Sequence, residues 1–356
     1  MVGIYKPSSR WTWSFLLIAL VQAIVGLALE AYVFGKYQFA VDNEDRTGPE
    51  DNSGQTVTAL KNAIPTYLSV FMFGFIYQLL LVYDALRLKN TIQVIGLCVY
   101  NMGILVYAAI QIDQLKDNVD RLSEKNILGL NFWSSVKASL IALPILMAVG
   151  TMFLVVVTWK LYDEFAWTIY KHISADLRLK RRYLTYQIYI ALLKFDFFFF
   201  LGFTVQFLVI VTNTKDVEFW LTIAAIPVTI VLLMLAAYWT RKENTVGMIA
   251  IIIIYFAAMA YFLFKLIRMY SNDDRANDYL PARRMLSTFA GLTIVLLVGT
   301  IIIACMCTHN FNKGLKPHVD RRGGVGNADE VKYQTEMPAY GGSPAAQPMP
   351  SRMTID

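Results

Sequence analysis

Long apolar stretches separated by short polar ones make up most of the chain. A membrane-spanning helix needs about 20 mostly apolar residues. Eight stretches reach that length: 12–34, 64–86, 91–112, 138–160, 187–212, 219–240, 246–268 and 286–307. None alternates apolar and polar residues as a tilted barrel strand does, which excludes a β-barrel. Pro65, Pro144 and Pro227 lie at span starts or inside spans. There, neighbouring helices can satisfy the backbone groups that proline frees. The pattern predicts an all-α, polytopic membrane protein with an eight-helix transmembrane bundle at 12–307. Residues 160–186 are different. Leu161, Phe165, Ile169, Ile173 and Leu177 recur every four positions and are followed by Arg178, Lys180, Arg181 and Arg182. An apolar helical face with aromatic and basic flanks predicts a cytosolic interfacial helix. Residues 308–356, rich in Gly, Pro and Ser, predict a disordered cytosolic tail. No repeat of fixed period is legible.

Composition agrees with this assignment. Charged residues make up 16% of the chain and mean hydropathy is +0.47. A soluble domain carries about 25% charged residues. The first apolar run exceeds the roughly 7–15 residues of a signal-peptide core, so an uncleaved first span is expected. The net charge is +6, and its distribution sets orientation. One set of connections carries Lys6 and Arg10, Arg87 and Lys89, Arg178 to Arg182, Arg241 and Lys242, then Lys313, Lys316, Arg321 and Arg322. The other set is richer in acids, including Asp42, Glu44, Asp45, Asp113, Asp117, Asp273 and Asp274. The positive-inside rule places both termini, including residues 1–11, in the cytosol. The loops on the far side are too short for independent domains.

Candidate chemistry is sparse. Cys98, Cys305 and Cys307 lie in or beside apolar runs, with neither disulfide nor metal-ligand spacing. Cys305 and Cys307 are small apolar residues or acylation sites at a span end. No nucleophile elbow, zincin motif or phosphate loop occurs. No catalytic residue, metal site or cofactor is therefore expected, and the chain is read as a non-enzyme. The basic charge lies beside spans and carries no nucleic-acid signature. The expected surroundings are the lipid bilayer. Anionic lipids and cytosolic trafficking proteins are the candidate partners, and the Arg178, Lys180, Arg181, Arg182 patch is the candidate lipid surface. A positive-inside anchor explains the same charges without a ligand. Oligomeric state is not readable from one chain.

The most informative polar residues are intramembrane. Lys194 and Asp196 sit in ALLKFDFFFFLGF (191–203). Two residues apart on a helix, they point about 200° from each other, so each needs its own partner. Depth matching offers Asp84 for Lys194 and Arg87 for Asp196. It also pairs Glu30 of the first span with Lys265 of the seventh. Tyr77, Gln78, Gln93, Tyr100, Asn101 and Tyr107 add hydrogen-bonding groups to the second and third spans, and Tyr100, Asn101 and Gly103 lie near the middle of the third, where a carrier places its site. The competing explanation is that these groups only fix helix packing.

Two stretches carry a resemblance. YQLLLVYDALRLKNTIQVIGLCVYNMGILVYAAIQI (77–112) and LRLKRRYLTYQIYIALLKFDFFFFLGF (177–203) resemble the fungal Golgi apparatus membrane protein family, which is multi-pass and has no assigned activity. The resemblance implies a polytopic Golgi membrane protein and carries over no site residues. Two functions follow as expectations. The first is non-enzymatic support of trafficking, sorting or membrane organisation. The alternative is a small-solute or proton-coupled transporter with a polar site around Asp196, Lys194 and Asn101.

Overall fold

The computed structural model describes residues 9–47, 55–125, 127–129, 131–172, 177–210, 217–271 and 279–313. Among them run eight helices: α1 (Arg10–Thr47), α2 (Gln55–Arg87), α3 (Thr91–Glu124), α4 (Phe132–His172), α5 (Leu177–Ile210), α6 (Val217–Arg241), α7 (Thr245–Met269) and α8 (Arg283–His309). Each is long and apolar enough to cross a membrane, so the chain is a multi-pass membrane protein. The tail assigned to disorder lies outside the described residues, apart from its first few positions.

Several helices outrun the spans expected from hydropathy. α1, α3 and α4 have 38, 34 and 41 residues. At about 1.5 Å per residue they are roughly 57, 51 and 62 Å long, against a hydrocarbon core of about 30 Å. The polar end of α3 stays helical because Gln114, Leu115, Asn118, Val119 and Leu122 keep a buried face at helical spacing. The predicted interfacial helix at 160–186 is not a separate element among the described residues. Residues 160–172 continue α4, and 177–186 are the first turns of α5. Leu161 and Phe165 extend the buried stripe of Leu154 and Val157, so nothing in the pattern interrupts the helix. The side chains of Ile169, Ile173 and Leu177 lie outside the described set.

The eight helices form two four-helix units with the same neighbour order. In the first, α1 packs on α2 and α4, and α3 packs on α2 and α4. In the second, α5 packs on α6 and α8, and α7 packs on α6 and α8. The join sets α2 and α3 of the first unit against α5 and α8 of the second. The α2–α3 and α6–α7 turns also match. RLKNT (87–91) and RKENT (241–245) each place a left-handed residue, Lys89 at φ 46° and Glu243 at φ 52°, before a capping asparagine. Asn90 Oδ1 accepts from Ile92 N at 3.2 Å, and Asn244 Oδ1 accepts from Gly247 N at 3.2 Å. Asn90 N donates to Ala85 O at 2.9 Å, and Asn244 N to Trp239 O at 3.0 Å. This repeat escaped the sequence reading because it survives as topology and one turn. An even number of spans per unit gives both units the same orientation.

The join between the units is packed with rings. Tyr100 and Phe198 have centroids 5.0 Å apart, and Tyr107 and Phe289 4.9 Å apart. Glycines admit some of them closely. A Cβ at Gly96 would sit 2.4 Å from the Phe195 ring, and one at Gly202 2.4 Å from that of Phe289. Small residues that let helices approach this closely are a main source of packing energy in membranes.

Candidate functional site: polar groups inside the bundle

The end of α2, the start of α3 and the middle of α5 meet around Lys194. Its ammonium pairs with the Asp84 carboxylate and donates to Gln93 Oε1 at 2.9 Å. Gln93 Nε2 donates in turn to Asp84 Oδ2 at 2.9 Å and to Leu81 O at 3.0 Å. Tyr77 Oη donates to the Lys194 carbonyl at 2.7 Å, tying α2 to α5 one step further. The charges therefore close on each other through an amide. Lys194 and Asp84 stay partly exposed, while Gln93 is fully buried.

Asp196 faces the other way. It is buried, and its Oδ2 accepts from Thr300 Oγ1 of α8 at 2.6 Å. Oδ1 has no hydrogen-bond partner. The expected contact with Arg87 is not made, and Arg87 is exposed. The reason is rotational. α2 lies on the Lys194 face of α5, and Asp196, turned away from it, meets α8.

The Glu30–Lys265 pair is not formed either. Glu30 Oε1 accepts from Gln111 Nε2 of α3 at 3.3 Å, and Oε2 is unpartnered. Lys265 lies over the Phe207 ring, 3.9 Å from its centroid. α1 and α7 belong to different units, so equal depth did not make them neighbours.

The mid-membrane candidates divide among local contacts. Tyr100 Oη donates to the Gly74 carbonyl at 3.0 Å. Asn101 Oδ1 accepts from Gln22 Nε2 of α1 at 2.9 Å, and its amide donates to Leu97 O at 3.0 Å. Gln22 Nε2 also lies 2.8 Å from Met147 Sδ of α4. Gln78 is buried with its Nε2 unpartnered. Lys194, Asp196 and Asn101 thus bond to different neighbours and do not converge on one another.

Sequence reasoning missed Gln22, Gln111, Thr300 and Gln206, whose Nε2 donates to Tyr107 Oη at 3.2 Å, and it took Gln93 for a polar group of the spans without seeing it as a partner of Lys194. Gln22, Gly26 and Glu30 do carry a signal, since their spacing of four puts them on one face of α1. It also missed a clamp at the far end. The Pro281 carbonyl, before α8, accepts from Tyr67 Oη, from Gln114 Nε2 at 3.1 Å and from Asn118 Nδ2 at 2.9 Å. Gln114 Oε1 accepts from Arg284 N at 3.2 Å, so α3 caps the first turn of α8.

Among the described residues no group of three His, Cys, Asp or Glu side chains could hold a metal. The basic patch lies at the start of α5. Arg178 and Arg181 are exposed, and Lys180 and Arg182 half-exposed. Arg182 Nη1 donates to the Lys313 carbonyl just beyond α8.

Over 329 residues the chain is 32% identical to a UPF0658 Golgi apparatus membrane protein of Schizosaccharomyces pombe. The match covers 85% of this chain and 88% of that one. The chain belongs to the UPF0658 Golgi apparatus membrane protein family. No family model matches this UPF0658 protein, and no solved structure matches it significantly. The relative's description names a compartment and a membrane, and no reaction.

Proposed function

We propose that this UPF0658 protein resides in the Golgi membrane with both termini in the cytosol. There it supports membrane organisation, sorting or trafficking without catalysing a reaction. The observation that carries this reading is the closed Asp84–Lys194–Gln93 group beside the ring-packed join. A satisfied charge group in a tightly packed bundle favours a fixed framework acting through its outer surface. The cation-rich connections support the orientation.

A second reading, a cation- or proton-coupled carrier, has its own observation. Glu30 Oε2, Asp196 Oδ1, Gln22 Oε1, Gln111 Oε1 and Gln206 Oε1 are buried acceptors without a donor. Buried acceptors left open call for a water, a proton or a cation.

Single cysteines along 191–203, in a chain lacking Cys98, Cys305 and Cys307, separate the two. The probe is a small water-soluble thiol reagent applied to intact membranes. The framework reading expects labelling only at the edge nearest the α5 start. Labelling at 192, 196, 199 and 203, the Asp196 face, would overturn it in favour of the carrier.

A further inference from the structure

We propose that the start of α5, the end of α6 and the end of α8 together form a binding site for the phosphate-bearing headgroup of an anionic membrane lipid. This rests on the reading that the protein works through its outer surface, and it names the ligand.

Packing brings the elements together. Arg182 of α5 holds the Lys313 carbonyl beyond α8. Asn312 N donates to Glu243 Oε2, in the turn after α6, at 3.0 Å. Arg241, the last residue of α6, lies beside Tyr186 of α5. One corner thus collects Arg178, Arg181, Arg182, Arg241, Lys242 and Lys313. Arg241, Lys242 and Lys313 are exposed there, and Glu243 is held by the Asn312 N–H. The first turn of α5 has no acidic residue.

Depth selects lipid over a soluble partner. Arg241 ends the 20-residue apolar span Thr222–Arg241. Lys242 lies over the exposed Tyr238 ring at 5.6 Å, an aromatic–cation arrangement suited to the membrane surface. The cations therefore stand where lipid phosphates are.

The repeat provides an internal control. The equivalent corner of the first unit, at the start of α1 and the ends of α2 and α4, presents Arg10, Arg87, Lys89 and Lys160 among the described side chains, four cations against the six of the second. Topology alone requires similar charge at both corners. The excess at the second is what a headgroup site needs and an orientation signal does not.

The test uses the full chain in phosphatidylcholine nanodiscs, titrated with a fluorescent phosphatidylinositol monophosphate. Each cation near the surface contributes about fivefold to affinity. The R182Q/R241Q/K242Q variant should bind on the order of a hundredfold more weakly. K242Q alone, at an exposed side chain that leaves the packing intact, should lose about fivefold. R10Q/R87Q should stay within about twofold, since it lies outside the corner. Unchanged binding by both K242Q and the triple variant overturns the site. So does an equal loss in R10Q/R87Q, which would mean diffuse charge. Equal affinity for free inositol phosphate or for an acidic peptide also overturns the assignment to lipid. Failure here leaves the cysteine labelling pattern unchanged, whereas aqueous labelling of the Asp196 face sinks the reading beneath it with headgroup binding intact.

Discussion

Lys194 and Asp196 stand two residues apart on α5 and meet opposite fates. Lys194 enters a group in which carboxylate, ammonium and amide each bond to the other two. Asp196 receives one hydroxyl and keeps an oxygen without a donor. The difference lies in the neighbouring helix. α2 and α3 bring an acid and an amide to one face of α5, while α8 brings a threonine to the other. Charge within an apolar run therefore has no single meaning, and the partner helix decides whether it is neutralised.

Breaking the closed side should have the larger effect. Lys194→Met removes the cation from Asp84, which keeps only the Gln93 amide, and the donor from Gln93 Oε1, and should cost about 2 kcal/mol. That is less than the roughly 3–5 of a fully buried pair, because both charged side chains keep some exposure. Adding Asp84→Met should recover much of the loss. Thermal unfolding of single and double variants in nanodiscs checks this, and an additive double variant would show that the pair is not coupled. On the open side, Thr300→Val removes the donor to Asp196 and should cost about 1 kcal/mol, within the range of interhelical hydrogen bonds in membranes. An unchanged midpoint would mean that Thr300 contributes nothing. Smallest of all, Asp196→Asn keeps an acceptor for Thr300 and removes the charge. Its expected effect is within about 0.5 kcal/mol in either direction. A loss comparable with that of Lys194→Met would mean that Asp196 has a second partner.

The spans were legible because a run of about 20 apolar residues has few other uses. The extensions of α1 and α3 were not, since polar residues beyond a span read as loop until the buried i, i+4 face of Gln114, Asn118 and Leu122 is seen. Depth alone brought Asp84 to Lys194 because α2 adjoins α5. The same reasoning failed for Glu30 and Lys265, whose helices sit in different units. Thr300 could not have been chosen, as a neutral residue among many in α8. Gln93 was visible as a polar group but not as the amide that closes a charge pair. Five of the nine intramembrane candidates did not meet the partner expected or left a polar atom open: Glu30, Lys265, Asp196, Arg87 and Gln78.

The Pro281 carbonyl gathers donors from α2 and α3, and Thr300 supplies the hydroxyl for Asp196. Both come with α8, which follows the other seven described helices along the chain. A nascent chain that has inserted seven helices holds Tyr67, Gln114, Asn118 and Asp196 without these partners, in a medium where such groups find few others. The arrival of α8 is thus written into the interior chemistry of the first seven helices. A bundle of α1–α7 alone differs from the eight-helix bundle by polar groups left without the Pro281 carbonyl and the Thr300 hydroxyl.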